Sequence, residues 1–375
     1  MSLHHFVIST IADLLSAGAT APHELFLDLG DCRIRVCSNS PELLAELDTY
    51  FGAFVAGPGP VEVSLTALEV EGPHIPLDLT VKEPDPGKDT IKEEYADLPG
   101  GRLVRKVLTG MVFLFGQDVN LAVGPCQDNP NQVVNFINNR YIEHKLNRGC
   151  LLAHCAAVAH LRDGRMRGLA LAGFSGAGKS TLAMHVMSRG ALFVSNDRLL
   201  VRENGAALSM FGVAKLPRIN PGTALNNPDL HAVVPHGDRQ RFLDLEGDDL
   251  WDLEHKYDVF LDKCFGEGRF VLSAPMHGLV VLNWKRGAGE SSIRFVKAAE
   301  RPDLLPAFMK AAGLFYLPPD TAQAEGKTGG EQDGWRDPGL AEYTALLSGC
   351  DLVEITGGVD FDRAADFCME YLLHG

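Results

Sequence analysis

Residues 173–181 read Gly-Phe-Ser-Gly-Ala-Gly-Lys-Ser-Thr, and this stretch decides the fold more than any other part of the chain. It is the complete pattern G-x-x-x-x-G-K-[ST], in which glycines leave backbone N–H groups accessible to phosphate oxygens. Lys179 is placed to reach the outer phosphates of a nucleotide, and the Ser180 hydroxyl is placed to ligate Mg²⁺. The pattern predicts that ATP phosphates bind along this loop, at these residues: Gly173, Ser175, Gly176, Ala177, Gly178, Lys179, Ser180 and Thr181.

The flanks of the loop have the composition that the pattern requires. Residues 168–172, Gly-Leu-Ala-Leu-Ala, are a short apolar run typical of a buried strand. Residues 181–189 favour a helix, and Gly190 follows them as a C-terminal cap. Strand, glycine loop and helix in this order predict an α/β fold with the loop at a strand end.

A second strand is predicted over residues 191–197, Ala-Leu-Phe-Val-Ser-Asn-Asp. If it runs parallel to the first strand, its polar end emerges beside the phosphate loop. An aspartate at such a position can hold Mg²⁺ directly or through water. Asp197 is therefore the candidate metal ligand together with Ser180; the alternative is an aspartate that only caps the strand.

The composition of the whole chain excludes several classes of function. The 375 residues carry a net charge of −15, which is unfavourable for non-specific binding to nucleic acid or to an anionic membrane. There is no apolar run of membrane-spanning length and no signal peptide at the start. The eight cysteines form no C-x-x-C pair, as is typical of reduced thiols in a cytoplasmic protein. The sequence leaves open a homo-oligomer.

Two regions are predicted along the chain. Residues 1–126 contain hairpin and helix patterns and are predicted to form an α+β unit of unknown role. Residues 130–375, which begin with a helix at Pro130, contain the phosphate loop and are predicted to form the second domain. Within it, residues 318–339 are rich in Gly, Pro and polar side chains and are predicted to be a mobile loop.

Three further side chains are candidates for the site. His154 interrupts the apolar run 151–159, which we interpret as a buried strand. A lone histidine there is either a hydrogen-bonded core residue or a catalytic group. Lys215 and Arg218 lie in the irregular segment 212–222, where they either clamp transferring phosphate or are surface charges.

The order of these features resembles the HPr kinase/phosphorylase family. That family has a strand bearing a histidine, a G-x-S-G-x-G-K-S loop, a helix ending in Arg-Gly, and a strand ending in V-A-D-D-R. Here the corresponding features are His154, the loop 173–181 and the stretch 187–198. Other phrases are similar to the HPr-kinase-related kinases, in particular the group called HprK-related kinase B: residues 134–139, 195–198, 215–221 and 357–361.

The resemblance covers roughly residues 130–375 and implies a P-loop kinase domain of the HPr kinase / phosphoenolpyruvate carboxykinase-like type. It implies that residues 173–181 bind phosphates and that His154 lies beside the catalytic carboxylate. Asp197 matches the second aspartate of V-A-D-D-R. Asn196 stands where the family uses the first aspartate as base, and an amide cannot accept a proton. Thr181 stands where the family often has glutamate.

Taken together, the sequence predicts an ATP-dependent kinase that transfers the γ-phosphoryl group to a hydroxyl of a protein Ser/Thr or of a small molecule. Lys179 is expected to neutralise the transferring group, and Ser180 with Asp197 to place Mg²⁺. With Asn196 in the base position, the proton acceptor is Asp197, His154, or neither if the transition state is loose. The alternatives are a nucleotide-binding regulatory module without transfer activity and an NTPase that drives assembly of partner proteins.

Overall fold

The computed structural model describes residues 3–75, 77–84, 89–116, 119–244, 250, 253, 255–317 and 337–374. The predicted mobile loop 318–339 lies outside these residues except for its last three positions. The chain divides into two compact units, Met1–Arg148 with Ala312–Asp337, and Gly149–Ala311 with Pro338–Gly375. Within the described ranges, no helix combines the length and apolarity needed to cross a bilayer.

The first unit contains one sheet of nine described strands, in the order β3-β1-β2-β4-β9-β8-β7-β6-β5. Residues 24–37, in the region where the sequence has hairpin patterns, form the antiparallel pair β1–β2. The elements are α1 Leu3–Ser16, β1 His23–Asp28, β2 Arg33–Ser38, α2 Pro41–Tyr50, a 3-10 turn Gly52–Phe54, β3 Val55–Ala56, β4 Val63–Glu69, β5 Thr80–Val81, β6 Glu93–Leu98, β7 Gly101–Lys106, β8 Val112–Gly116, β9 Val119–Gly124 and α3 Pro130–Leu146.

Helix α3 packs within the first unit. The Phe136 ring lies 4.9 Å from the Phe113 ring and 6.1 Å from the Phe115 ring, both on β8. The guanidinium of Arg140 lies 4.2 Å from the centre of the Phe115 ring. These contacts place α3 with the first sheet, so the compact units divide after Arg148, whereas the sequence suggested a division at residues 126–130.

The second unit is built on another sheet of nine described strands. Its elements are β10 Leu151–Ala153, β11 Ala156–Arg162, β12 Arg165–Gly173, α4 Lys179–Ser188, β13 Leu192–Ser195, β14 Leu199–Asn204, β15 Ala207–Phe211, β16 Arg218–Ile219, α5 Pro221–Leu225, a 3-10 helix Pro228–Val233, α6 His236–Leu243, β17 Tyr257–Asp258, α7 Leu261–Phe265, β18 Ser273–Leu282, β19 Ser292–Val296, a 3-10 helix Pro302–Ala307, α8 Leu340–Leu347, β20 Asp351–Thr356 and α9 Phe361–His374.

The strand order of this sheet is β10-β14-β15-β18-β12-β11-β13, with β20 beside β18 and β19 beside β20. Its faces explain the apolar runs seen in the sequence. Leu169 and Leu171 face the core that contains α4 and α9, and Ala170 and Ala172 face the opposite core. Because both faces of β12 are buried, the strand reads as continuous apolar sequence without alternation.

The predicted buried strand over residues 151–159 is divided into two strands, β10 and β11. The chain changes partner at His154: β10 pairs with β14, whereas β11 pairs with β12 and β13. The His154 backbone N–H donates instead to the Phe308 carbonyl at 2.7 Å. His154 therefore lies in the break between β10 and β11, where its side chain is partly exposed.

Candidate functional site

Four strands of the second sheet run in the same direction and end at the same edge. β12 is parallel to β18, and β18 to β20. β13 is antiparallel to β11, which is antiparallel to β12, so β13 also runs with β12. Sites in open α/β sheets form outside the carboxyl ends of such strands. As the sequence predicted, the polar end of β13 lies at the same sheet edge as the end of β12. The two strands are not adjacent, because β11 lies between them.

The segments that follow these four strands line one cavity of about 590 Å³. It contains most of the side chains singled out from the sequence: His154, Ser175, Gly176, Ala177, Gly178, Lys179, Ser180, Thr181, Asn196, Asp197 and Arg218. It also contains residues that the sequence did not predict as site residues: Ile219, Asn220, Thr223, Lys256, Trp284, Arg286, Val359 and Phe361.

The glycine loop has the backbone geometry that phosphate binding requires. Gly176 has φ +77° and Gly178 has φ +89°, the left-handed region in which L-residues are strained. Gly178 precedes α4, and no side chain caps that helix end. The first N–H groups of α4 therefore open on the cavity with their partial positive charge, which is the arrangement that binds anions.

The ammonium of Lys179 lies inside this loop. Its Nζ donates to the Gly173 carbonyl oxygen at 2.8 Å. Burial lowers the pKa of Lys179, and the nearby Asp197 carboxylate opposes that shift. The lysine thus sits at the loop with a weak neutral partner, which an anionic phosphate would replace favourably.

Two aromatic side chains hold the loop from the ends of β18 and β20. The Trp284 indole Nε1 donates to the Ala177 carbonyl at 2.9 Å. The Phe361 ring lies edge-on to Trp284, with centroids 5.1 Å apart. A Cβ added to Gly178 would lie 2.6 Å from Phe361, so only glycine fits between this ring and α4.

His154 and Asp197 form a pair in the same lining. His154 Nε2 lies 3.3 Å from Asp197 Oδ1, and Asp197 Oδ2 lies 3.9 Å from Arg198 Nε. The hydrogen bond from His154 holds the pKa of Asp197 well below its usual range, against the effect of burial. Asp197 is therefore ionised at neutral pH.

Asn196 precedes this pair and lies at the end of β13. It lines the cavity, but its Oδ1 atom is buried and has no hydrogen-bond partner within the described chain. A buried acceptor without a donor is costly.

A short ribbon brings two cations to the cavity. β16 carries Arg218 and pairs with β17. Lys256 comes directly before β17 in the chain. Arg218 Nε lies 3.4 Å from Asp258 Oδ1. Lys215 is not part of the cavity lining. Burial lowers the pKa of Lys215, with Arg198 as the next contributor.

Thr181 has a structural partner. Its Oγ1 lies 2.7 Å from Thr223 Oγ1, and both hydroxyls are buried. The Asn220 side chain in turn accepts from the Thr223 backbone N–H at 2.8 Å and caps α5. Helix α4 is thereby fastened to the segment that carries Arg218.

The lining fits a nucleotide triphosphate with Mg²⁺. The Ser180 hydroxyl and the Asp197 carboxylate are the hard oxygen donors that Mg²⁺ prefers. The described residues contain no cluster of three or more His, Cys, Asp or Glu side chains able to hold a metal by themselves.

Sequence reasoning missed Lys256, Trp284, Arg286 and Phe361. Trp284 ends an apolar run at the sheet edge, and Phe361 follows a Gly-Gly pair after β20. Both positions can be recognised only once the strand directions are known. Lys256 comes from a segment whose mixed aromatic and charged composition predicts no specific role.

The site defines a mixed α/β protein with a glycine loop between a strand and a helix. No protein-family model and no curated protein matches the chain. Among solved structures, the chain is similar to the HPr(Ser) kinase/phosphatase from Coxiella burnetii, with 11% identity and a TM-score of 0.29 over 59% of this chain and 87% of that one. A likeness at that level does not show a shared fold or activity.

Proposed function

We propose that the chain is an ATP-dependent phosphotransferase of the HPr-kinase-like type, with a P-loop domain in its second unit. It transfers the γ-phosphoryl group to a hydroxyl of a protein Ser/Thr or of a small molecule. The observation that carries this proposal is the glycine loop with an uncapped helix α4, which opens on the same cavity as Asp197. Phosphoryl transfer depends on positioning and charge stabilisation, and this cavity concentrates cations at the loop.

The phosphates bind to the N–H groups of the loop and of α4, with Lys179 on the outer phosphates. Ser180 and Asp197 hold Mg²⁺, which neutralises phosphate charge when bound. Arg218 and Lys256, brought in on the β16–β17 ribbon, are placed to stabilise charge on the transferring group. Lys215 contributes through the local field, since it does not line the cavity.

His154 is the residue to which we assign the acceptor's proton. The low pKa of Asp197 makes it a poor base at neutral pH and a good metal ligand or counter-ion. The Nε2 of His154 is within 3.3 Å of this carboxylate, which would stabilise the imidazolium once the proton has moved.

One observation favours a second candidate, a nucleotide-binding regulatory module without transfer activity. Asn196 lies in the cavity where the resembling family has a carboxylate, and its buried Oδ1 has no donor within the described chain. An amide there can orient a ligand but cannot accept a proton.

Turnover of Mg-ATP with and without a cell extract separates these functions. Turnover only with extract supports the kinase, steady turnover without it supports an NTPase, and tight binding without turnover supports the regulatory module. Lys179→Ala is expected to abolish tight Mg-ATP binding in a folded protein, because it removes the cation at the phosphates. Lys297→Ala, whose side chain is 81% exposed and outside the cavity, is the matched control. Wild-type binding by Lys179→Ala would contradict the proposal.

A further inference from the structure

A second cavity adjoins the phosphate-loop cavity. It has a volume of about 640 Å³ and shares two lining residues with the first, Val359 and Phe361. Its walls are the turn Gly289–Ser291, the segment that leads into α9, and His185 on α4. His185 follows Lys179 by six residues, which is about 9 Å along a helix axis. The second cavity therefore lies further along α4 than the phosphate site.

The wall between the cavities is aromatic on both sides. Phe361 stacks on the His185 ring, with centroids 5.5 Å apart and planes 20° apart. The same Phe361 ring contacts the glycine loop at Gly178 and the indole of Trp284. A planar ligand attached to a phosphate in the loop would meet this ring as it leaves the phosphate site.

Ser291 supplies the polar feature of the second cavity. Only 8% of this residue is exposed, and its Oγ has no hydrogen-bond partner within the described residues. A buried hydroxyl without a partner is costly, and a ligand that bonds to it recovers that cost. The hydroxyl both donates and accepts, so it can bond a ring nitrogen or an amino group of a ligand.

The backbone around Ser291 is closely fitted. A Cβ on Gly357 would lie 2.0 Å from the Glu290 carbonyl oxygen, and one on Gly358 would lie 2.0 Å from the Gly289 carbonyl oxygen. The two glycines therefore allow the turn Gly289–Ser291 to rest on the chain leaving β20. This contact holds Ser291 in a defined position in the lining that also contains Phe361.

The two cavities differ in charge. The first has four cations, Lys179, Arg218, Lys256 and Arg286, against the carboxylate of Asp197. The second has three carboxylates in its lining, those of Glu290, Asp360 and Asp362, against the single guanidinium of Arg363. Asp362 is paired with Arg189 at 2.9 Å, and Asp360 accepts from the Arg363 backbone N–H at 2.9 Å. Such a lining disfavours a second phosphate and suits a neutral ligand that bears an amino group.

We infer that the second cavity binds the purine base of the nucleotide whose phosphates occupy the glycine loop, with Phe361 as the stacking surface and Ser291 as the hydrogen-bonding group. The inference rests on the proposed function, since it takes the phosphates to be bound at residues 173–181. It adds the residues that read the base and predicts preference for adenine over a pyrimidine, because only a purine has two rings to stack and reach Ser291 together.

The test compares Mg-ATP with Mg-tripolyphosphate, which has the phosphates but no base. Ser291→Ala should weaken Mg-ATP binding roughly three- to tenfold, as for one lost hydrogen bond. It should leave tripolyphosphate binding unchanged, and it should not lower the unfolding temperature of the free protein, because the hydroxyl that it removes is buried without a partner within the described residues. Phe361→Ala should weaken Mg-ATP binding by roughly tenfold or more through lost stacking. Ser292→Ala, at the exposed neighbouring position, is the matched control and should bind both probes as the wild type does.

The outcomes separate the two proposals. Wild-type affinity for Mg-ATP in both Ser291→Ala and Phe361→Ala would overturn the base site while leaving the phosphate loop intact. Equal losses for Mg-ATP and tripolyphosphate would also overturn it, because the residues would then act only through the loop. A wild-type protein that binds neither probe would overturn the phosphate-loop proposal and the base site with it.

Discussion

His154 Nε2 lies 3.3 Å from Asp197 Oδ1, and this contact joins the break after β10 to the end of β13. The two residues are 43 positions apart in the chain and are brought together by β11, which pairs with β12 on one side and β13 on the other. The contact leaves the carboxylate ionised at neutral pH and gives the imidazole a fixed partner. The effect of His154 on the Asp197 carboxylate and the role of His154 in phosphoryl transfer can each be tested.

His154→Ala should raise the pKa of Asp197, because the hydrogen bond from His154 is the main cause of its depression. A carboxyl whose folded pKa is depressed stabilises the fold above its unfolded pKa, and this contribution is lost as pH falls through the folded value. The variant should therefore lose less stability than the wild type when the pH is lowered below about 4. The carboxyl titration of Asp197 by NMR measures the shift directly; an unchanged titration would show that His154 is not its partner.

The same variant should slow phosphoryl transfer by roughly 10²-fold or more if His154 accepts the proton, the usual effect of a positioned general base. Transfer per folded active site, followed over a pH series through neutrality, is the measurement. A purely structural His154 would instead give lower stability with wild-type transfer per folded molecule.

Asp197→Asn should impair Mg²⁺-dependent ATP binding more than Asn196→Ala does. Asp197 alone supplies a carboxylate at the end of β13, and Mg²⁺ prefers anionic oxygen ligands. Calorimetric titration of ATP at several Mg²⁺ concentrations should show a Mg²⁺ requirement shifted upward for Asp197→Asn only. The same Mg²⁺ dependence in the two variants would mean that the metal is held elsewhere.

Asn196→Asp should keep or raise phosphoryl transfer but destabilise the free protein at neutral pH. The new carboxylate would stand where Oδ1 is buried without a donor, so its folded pKa would lie above the unfolded value. Its cost is therefore present at pH 7 and disappears as pH falls below the unfolded value of about 4. Denaturant unfolding at pH 7 and pH 4 measures this, with the exposed Asn204→Asp as control. If the difference in unfolding free energy between Asn196→Asp and the wild type does not narrow on acidification, the new carboxylate is not buried without a donor.

Gly178→Ala should abolish tight phosphate binding, whereas Gly176→Ala should be milder. Both glycines have positive φ, which costs an alanine about 1 kcal/mol or more. Only at Gly178 would the added Cβ also collide with Phe361, at 2.6 Å; at Gly176 it meets open space. Thermal unfolding and tripolyphosphate affinity of the two variants test this difference. Equal losses would mean that the Phe361 contact does not shape the loop.

Local sequence predicted the elements around the loop well. The predicted strand over residues 168–172 and the predicted helix over residues 181–189 are confirmed as β12 and α4, with α4 beginning two residues earlier than predicted. The apolar runs and the glycines are local signals, so they report correctly on local structure. The prediction failed at His154, because composition could not show that the chain changes partner strands there. The sequence prediction also assigned α3 to the second domain. The ring contacts of Phe136 that place this helix on the first sheet involve residues that are distant in sequence, so no local pattern reports them.

By itself, the sequence determined the phosphate-binding pattern at residues 173–181, its strand and helix, and the polar end of the next strand, because these depend on residues close along the chain. Only the tertiary structure decided what surrounds that loop. The common direction of β12, β13, β18 and β20 brings Asp197, Trp284 and Phe361 to one edge, and the β16–β17 ribbon adds Lys256. Strand order and direction are set by the packing of two buried faces over the whole sheet, and no local pattern encodes them.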